Sequence, residues 1–482
     1  MSISKHLTYN FFLSLSQVLF PLITIPYISR VLDPQSIGLV GFVDSYTLFF
    51  IGIAEFGIIT YGIREISKAE NDPAKINKLV SELLLLQILF TACTFICYAI
   101  STYYLWDKIN DIRLYTLSAI LLLTNAFYSE WYFWGKKRFK YIAIRSILIR
   151  ILGAISIFYF VKDTNDAYIY YSITSASYLL IIISNLFVLF TSVKIRFNEI
   201  NLRQHIKNLI LLNGINVAYS ILLMLDTPIL RIMSNEAEAG YYFFSIKIVR
   251  LSSTLISDIF LVLFPTTITF IEKGNNDRLN YNLRQSISLI FLLSIPMTIG
   301  VFWAAEDITS LYFGSAFFPI SDNLKILSLF PVIYSFELFL NRQILLTHNK
   351  DRLVFWIYLT GCIFFIFSSG FFSFHFGARG ASIALMLSEL IILLSAFFYT
   401  FRLYKSYIIP EKKTLIQIIA GCLLIIMFIK GVKYLEINSI IELIIIITGS
   451  IIVYFAWMIW VVKNTIAQKM YQFVFNEIKL KK

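Results

Sequence analysis

The chain is poor in residues that carry reactive chemistry. Only 4 cysteines and 4 histidines occur among 482 residues. Cys93, Cys97, Cys362 and Cys422 all fall inside apolar stretches, where a thiol behaves as a small hydrophobe. Cys93 and Cys97 are one helical turn apart, but no histidine or further cysteine is near in sequence. They read as packing residues rather than as half of a metal site. His6, His205, His348 and His375 are scattered near segment ends and form no metal-binding spacing. Neither a metal nor another cofactor is expected. Charge is also scarce: Asp, Glu, Lys and Arg together make 15% of the chain, with 29 acids against 41 bases. Long polar intervals are missing too. No connection exceeds about 16 residues, which leaves no room for an extramembrane catalytic domain. The first apolar run, after Lys5, continues to about residue 32, too long for a cleaved leader and without a small-residue cleavage site.

Hydrophobic residues fill the space. They make 58% of the chain, aromatics 17%, and the mean hydropathy is +0.75, outside the range of soluble domains. The expected fold is an all-α polytopic membrane protein of about fourteen transmembrane helices, each of about 20 residues across a hydrocarbon core of about 30 Å. Spans are expected at about 5–32, 36–63, 79–105, 114–135, 142–161, 168–193, 209–233, 240–271, 285–311, 322–346, 353–376, 378–401, 414–434 and 437–462. A net charge of +12 often signals nucleic acid, but topology explains it better here, and no nucleic-acid partner is expected. With the N-terminus inside, about 28 Lys and Arg fall on the cytoplasmic side, about 9 on the other and 4 within spans, which makes up the 41. The positive-inside rule then puts both termini in the cytoplasm. The tail after Val462 reads either as an interfacial helix against anionic lipid or as a solvated tail.

Transporters are often built from two related halves. The first span has Pro26, Arg30 and Gly38; the seventh and its following loop have Pro228, Arg231 and Gly240. Proline to glycine is twelve residues in both. This suggests two pseudo-symmetric six-helix halves, residues 1–193 and 194–401, followed by two extra helices and a tail at 402–482.

Ionisable residues inside spans are the clearest functional signal. A charge at the centre of a membrane helix costs about 2.5–3.5 kcal/mol on the lenient insertion scale, so it faces a wet cavity or a partner. Lys247, Arg250, Thr254 and Asp258 recur at steps of three and four and share one helical stripe. The fifth span carries Arg145, near enough to the interface to snorkel, and Arg150, nearer the midplane. The second carries Asp44 and Glu55, about 16 Å apart along one face. Asp226 precedes Pro228, which should loosen the local helix. Glu337 and Glu389 are isolated acids, and Glu130 adjoins the run Trp131, Tyr132, Phe133 and Trp134, which reads as an interfacial aromatic belt before Lys136, Lys137 and Arg138. Arg30, Arg150, Lys247 and Arg250 are candidates to converge on one lumen, where arginine forks suit phosphate oxygens. Each charge also has a structural reading, as one partner of a pair that holds the bundle together.

The stretch FPLITIPYISRVLDPQSIGLVGF, Phe20 to Phe42, and EFGIITYGIREISK, Glu55 to Lys68, resemble the polysaccharide repeat-unit flippases, the Wzx-type O-antigen transporters. These belong with the lipid II flippases to the multidrug, oligosaccharidyl-lipid and polysaccharide exporter superfamily. FGARGASIALMLSE, Phe376 to Glu389, supports the resemblance more loosely. The family pattern falls on Pro21, Pro26, Arg30 and Gly38, then on Gly57, Tyr61, Gly62, Arg64 and Glu65. Asp33 departs from it, standing where members often have glycine. The resemblance implies a bacterial inner-membrane transporter that moves an undecaprenyl-pyrophosphate-linked oligosaccharide from the cytoplasmic to the periplasmic leaflet by alternating access. For such a cargo Arg30, Arg150, Lys247 and Arg250 are the candidates to hold the pyrophosphate, Arg150, Lys247 and Arg250 on physical grounds alone, and Asn213, Asn216 and Ser220, spaced three and four apart, the candidates for part of a polar wall for the glycan. Asp44, Glu55, Asp226 and Asp258 take up H⁺ or Na⁺ as the coupling ion. The last two spans would offer a groove to the polyprenyl tail. Candidate protein partners are the polysaccharide polymerase and the chain-length regulator.

Three other functions remain open at this point. A multidrug exporter of the same superfamily would be expected to show a lumen led by acids, since its cargo is mostly cationic. An O-antigen polymerase or ligase would need a large periplasmic loop. A purely structural membrane subunit would not need so many charges at mid-depth.

Overall fold

The computed structural model describes residues 3–69, 72–106, 111–195, 200–404, 410, 412–435, 439–468 and 471. Every secondary-structure element among them is helical. The chain clusters into two compact units, Met1–Gly240 and Tyr241–Lys482. The first contains α1 (Ile3–Val31), α2 (Pro34–Glu55), α3 (Ile58–Lys68), α4 (Pro73–Tyr104), α5 (Ile112–Thr124), α6 (Glu130–Gly135), α7 (Phe139–Phe160), α8 (Ala167–Ser192), α9 (Arg203–Met224) and α10 (Asp226–Met233). The boundary falls near the start of α11 (Glu236–Glu272). The second unit continues with α12 (Asn276–Trp303), α13 (Ile320–Leu346), α14 (Asp351–Tyr404), α15 (Lys412–Tyr434) and α16 (Ser439–Ala456).

Among the described residues, 9 helices are long and apolar enough to cross a membrane, or 10 if α9 and α10, bent by 47° at their junction, count as one span. α14 runs for 54 residues but breaks at Gly377 (φ 57°, ψ −135°), so it supplies two of the expected spans. α1, the α5–α6 pair and α11 stand where further spans were expected, so the arrangement is compatible with about fourteen crossings. The chain is a multi-pass membrane protein. Most of the tail after Val462 lies outside the described residues.

The sequence starts several helices by one device. Asp33 caps α2 by accepting from the Ser36 amide at 2.7 Å, and Pro34 occupies the first turn. Asp72 caps α4, accepting from the Ala74 and Lys75 amides at 3.0 Å, with Pro73 next. An aspartate oxygen satisfies amides that have no partner within the helix, and proline has no amide to satisfy. Asp33, the departure from the family pattern, therefore has a structural reason. The second expected span is interrupted instead of continuous: Phe56 (φ 47°) and Gly57 (φ 76°) enter the left-handed region and separate α2 from α3.

The aromatic run is core, not an interfacial belt. Trp131, Tyr132 and Phe133 are buried in a cluster with Ile58, Tyr61 and Ile66 of α3. α6 and α3 approach closely because glycines face them: a Cβ on Gly62 would lie 2.7 Å from the Trp131 ring, and one on Gly135 would lie 2.7 Å from Ile66. Cys93 and Cys97 are exposed on α4 and do not pack in a core, unlike Cys362 and Cys422. In the second unit α15 and α16 pack on α12, where the Tyr454 hydroxyl donates to the Leu292 carbonyl at 2.8 Å.

The two glycines aligned by the suspected duplication meet. A Cβ on Gly38 would lie 1.8 Å from the Glu236 carbonyl oxygen, and one on Gly240 would lie 2.0 Å from the Pro34 carbonyl oxygen. Small residues allow helix backbones to touch in this way. Gly38→Val should therefore lower thermal stability in detergent by about 1–3 kcal/mol or more, as overpacking does. Gly300→Ala, with nothing within 4 Å of the added carbon, should leave the melting temperature nearly unchanged. Equal melting temperatures for the two variants would rule out this close approach.

Candidate functional site

Buried charge in the first unit centres on Arg145, which sits on α7 and is only 7% exposed. It does not snorkel. One Nη donates to Glu130 Oε2 at 3.0 Å and to the Ser146 hydroxyl, and the other donates to Asn185 of α8. Glu130, at the start of α6, also accepts from the Trp134 indole at 3.4 Å. The physical reason is cost: a guanidinium held at that depth is cheaper paired than stretched to the interface. This cluster ties α6, α7 and α8 together.

Arg150, five residues further along α7, is half-buried and donates to the Ser16 hydroxyl of α1 at 2.5 Å. Arg30 is exposed near the other end of α1, where it donates to the Pro26 carbonyl at 2.6 Å. Ser16 and Arg30 are fourteen residues apart, about 21 Å along the helix. The first unit therefore does not bring Arg30 and Arg150 together. Asp44 and Glu55 are half-buried on α2, and Glu55 is the last residue before the Phe56–Gly57 break. Asp226 is buried at the bend between α9 and α10, where its Oδ1 accepts from the Thr227 amide at 2.7 Å and from the Thr227 hydroxyl. The loosening expected near Pro228 is thus a 47° bend between α9 and α10. Asn216 is exposed on α9, whereas the side chain of Asn213 lies outside the described residues.

In the second unit Lys247 and Arg250 are half-buried, one turn apart on α11, and the Lys247 ammonium lies 5.0 Å from the centre of the Phe243 ring. The side chains of Thr254 and Asp258, further along the same stripe, lie outside the described residues. The unit also assembles a polar group that the sequence left as isolated acids. Glu337 on α13 is fully buried; it accepts from Asn341 at 2.5 Å and from the Tyr358 hydroxyl of α14. Glu389, also on α14 and buried, is within electrostatic range of both Glu337 and Arg250. Two buried carboxylates beside a guanidinium can hold a proton or a small cation, because a second buried negative charge is costly unless something neutralises it. Periodicity could not pair these acids, which belong to different helices.

Two further groups escaped the sequence reading. Arg231, buried on α10, donates to Glu236 at 2.9 Å, and its guanidinium lies 4.7 Å from the centre of the Phe42 ring. Tyr61, His205 and Glu82 form a buried chain, with the hydroxyl 2.8 Å from His205 Nδ1 and His205 Nε2 3.0 Å from Glu82. His205 opens α9, so the chain pins the segment that leads into that helix. A lone histidine near a segment end gave no sign of this.

A family model described as polysaccharide biosynthesis protein matches residues 3–271. A protein from Shigella dysenteriae named "Putative O-antigen transporter" is 22% identical over 405 residues, covering 81% of this chain and 98% of the relative. One of the same name from Escherichia coli (strain K12) is 23% identical over 358 residues, covering 73% and 85%. Among solved structures, the lipid II flippase MurJ in an inward closed conformation matches with a TM-score of 0.62 at 15% identity, covering 92% of this chain and 98% of that one. An inward-facing multidrug resistance transporter of the MATE family also matches at 0.62, with 14% identity and coverage of 81% and 95%. Both likenesses are of fold.

The Arg145 cluster gives a test of the structural reading of buried charge. Arg145→Leu leaves the Glu130 carboxylate without its cation and should destabilise the protein by about 3–5 kcal/mol, whereas Arg145→Leu with Glu130→Leu should recover most of that loss. Thermal melts of the purified variants check it. A double variant no more stable than the single one would show that the two side chains do not act as a pair.

Proposed function

Because the chain belongs to the polysaccharide biosynthesis protein family, whose model matches more than half of it, we propose that it is a flippase that turns a lipid-linked oligosaccharide from one leaflet to the other. The observation that carries this reading is the pair Lys247 and Arg250, half-buried and one turn apart within the first half of the 37-residue α11. A pyrophosphate-linked glycan would bring oxygens that both cations can hold alongside the protein groups already near them. The names of the O-antigen relatives agree with such a cargo. Family and relatives also favour it over a multidrug exporter, although the MATE fold matches as well as the MurJ fold does.

The cargo is an undecaprenyl-pyrophosphate oligosaccharide. Its pyrophosphate engages Lys247 and Arg250, and Arg150 and Arg30 act at other depths. Asn213 and Asn216 are the candidates to meet the glycan. The chain sits in a bacterial inner membrane with both termini cytoplasmic, as the lysine and arginine distribution suggests, and the cargo moves outward. Asp44, Glu55, Asp226 and Asp258 are the first candidates for a coupling H⁺ or Na⁺, and the buried Glu337–Glu389 pair joins them. The polymerase and the chain-length regulator would take over the flipped unit. The repeat boundary at residues 193/194 belongs to this proposal.

Three outcomes test it. Deleting the gene should leave single lipid-linked repeat units on the cytoplasmic face and no surface polymer, as read by leaflet-resolved lipid extraction. Units that reach the outer face and stay single would indicate a polymerase instead. Charge reversal of Lys247 and Arg250 to glutamate should abolish transport while the protein still inserts and melts cooperatively. Near-normal transport in that variant removes the cation assignment. Glu389→Gln should uncouple transport from the ion gradient, seen as flipping that no longer responds to proton or sodium ionophores. A wild-type protein that flips at full rate with both gradients collapsed removes the coupling.

A further inference from the structure

A groove on the first unit borders the Arg145 cluster but takes no part in the proposed transport site. It opens between α7 and α8 with a volume of about 740 Å³. Its wall is apolar: Ile144, Leu148 and Leu152 follow one another at four-residue steps along α7 and are 45%, 56% and 57% exposed, and Leu180 faces them from α8 at 47%. Within a bilayer such a wall is covered by acyl chain.

One end of the groove is basic. Lys137, Arg138 and Lys140 line it, and no carboxylate is among the residues that do. Lys137 and Arg138 come from the tight turn between α6 and α7, where Lys137 takes a left-handed conformation (φ 56°), and Lys140 from the first turn of α7. Arg145 also lines the groove, five residues or about 7.5 Å below Lys140. Its Nη groups are occupied by Glu130, Asn185 and Ser146, but its buried Nε has no hydrogen-bond partner among the described residues. A donor left unmet at that depth calls for an acceptor, and the ester oxygens of a glycerolipid lie below its phosphate by about that much.

We propose that this groove binds one anionic phospholipid. The phosphate sits among Lys137, Arg138 and Lys140, an ester oxygen accepts from Arg145 Nε, and an acyl chain runs along Ile144, Leu148 and Leu152. Length supports this occupant over a polyprenyl carrier. From Tyr141 to Leu152 the groove runs eleven residues, about 16 Å, close to half of a hydrocarbon core of about 30 Å. One leaflet's acyl chain fits that span; a polyprenyl chain is far longer. Each cation near the headgroups adds to the preference for an anionic lipid. The proposal depends only on the chain being in a membrane, not on what it transports.

Native mass spectrometry of the full chain, stripped of lipid and then given phosphatidylglycerol, phosphatidylethanolamine or polyprenyl phosphate in equal amounts, tests it. The expected result is one retained phosphatidylglycerol per protein under conditions that remove phosphatidylethanolamine. Lys137→Gln with Arg138→Gln and Lys140→Gln should cut retention by about tenfold or more, as loss of three headgroup contacts implies. Leu148→Trp, which fills the groove and keeps its charges, should do the same and keeps the test open if the triple variant does not fold. Equal retention of both phospholipids, or retention unchanged in either folded variant, overturns the proposal. So does polyprenyl phosphate displacing phosphatidylglycerol at equal concentration, which would assign the groove to the carrier.

Discussion

In hydrocarbon a helix satisfies its own backbone, but it seldom offers a countercharge to a charged side chain it carries. Where a buried charge finds its partner on another helix, the pair fixes how those helices meet. Arg145 on α7 can be neutral in its surroundings only when α6 brings Glu130 and α8 brings Asn185. The Glu82–His205–Tyr61 chain likewise joins α4, α9 and α3. Apolar contacts between membrane helices are nearly as good with lipid as with protein, so they choose poorly among alternative packings. The polar pins and the glycine contacts do the choosing. Gly38 and Gly240 let backbones touch where any side chain would hold them apart.

This separates the buried charges into two kinds. Arg145 spends its Nη donors on protein partners and positions helices. Lys247 and Arg250 are only half-buried on one stripe of α11, with the acids of α13 and α14 on the same unit. A transporter needs the second kind. A cation that keeps some exposure would be open to an anionic cargo, whereas one enclosed by protein is harder for it to reach.

Much of the fold was legible in the sequence for simple reasons. Apolar length marks spans, and the break expected between residues 376 and 378 falls at Gly377, whereas the Asp-Pro starts at Asp33 and Asp72 were not read from the sequence. The lateral arrangement was much less legible. When most faces of a helix are apolar, periodicity no longer separates core from lipid. Trp131 and Phe133 therefore looked like interface residues and are core, while Cys93 and Cys97 looked like packing residues and face outward. The partners of Arg145 stand 15 and 40 residues away, and Glu82 stands 123 residues from His205. No local spacing encodes such distances. Snorkelling was a fair expectation for Arg145 only as long as Glu130 was not known to be beside it.

The breaks in the helices bear on how a coupling ion would act. Glu55 ends α2 where Phe56 and Gly57 interrupt the backbone, and Asp226 begins α10 at a 47° bend. An interrupted helix in a membrane exposes amides and carbonyls that its hydrogen-bond ladder no longer uses, and a nearby carboxylate or bound ion is one way to satisfy them. An ion shifts a conformational equilibrium only if it binds the two states with different affinity. A carboxylate in the middle of a rigid helix meets the same neighbours in both states and offers little difference. At a break, a small change in bend alters which backbone groups surround the carboxylate, and so alters its affinity. If a coupling ion is used, Glu55 and Asp226 would be better placed to link its binding to helix movement than Asp44, which lies within the unbroken part of α2.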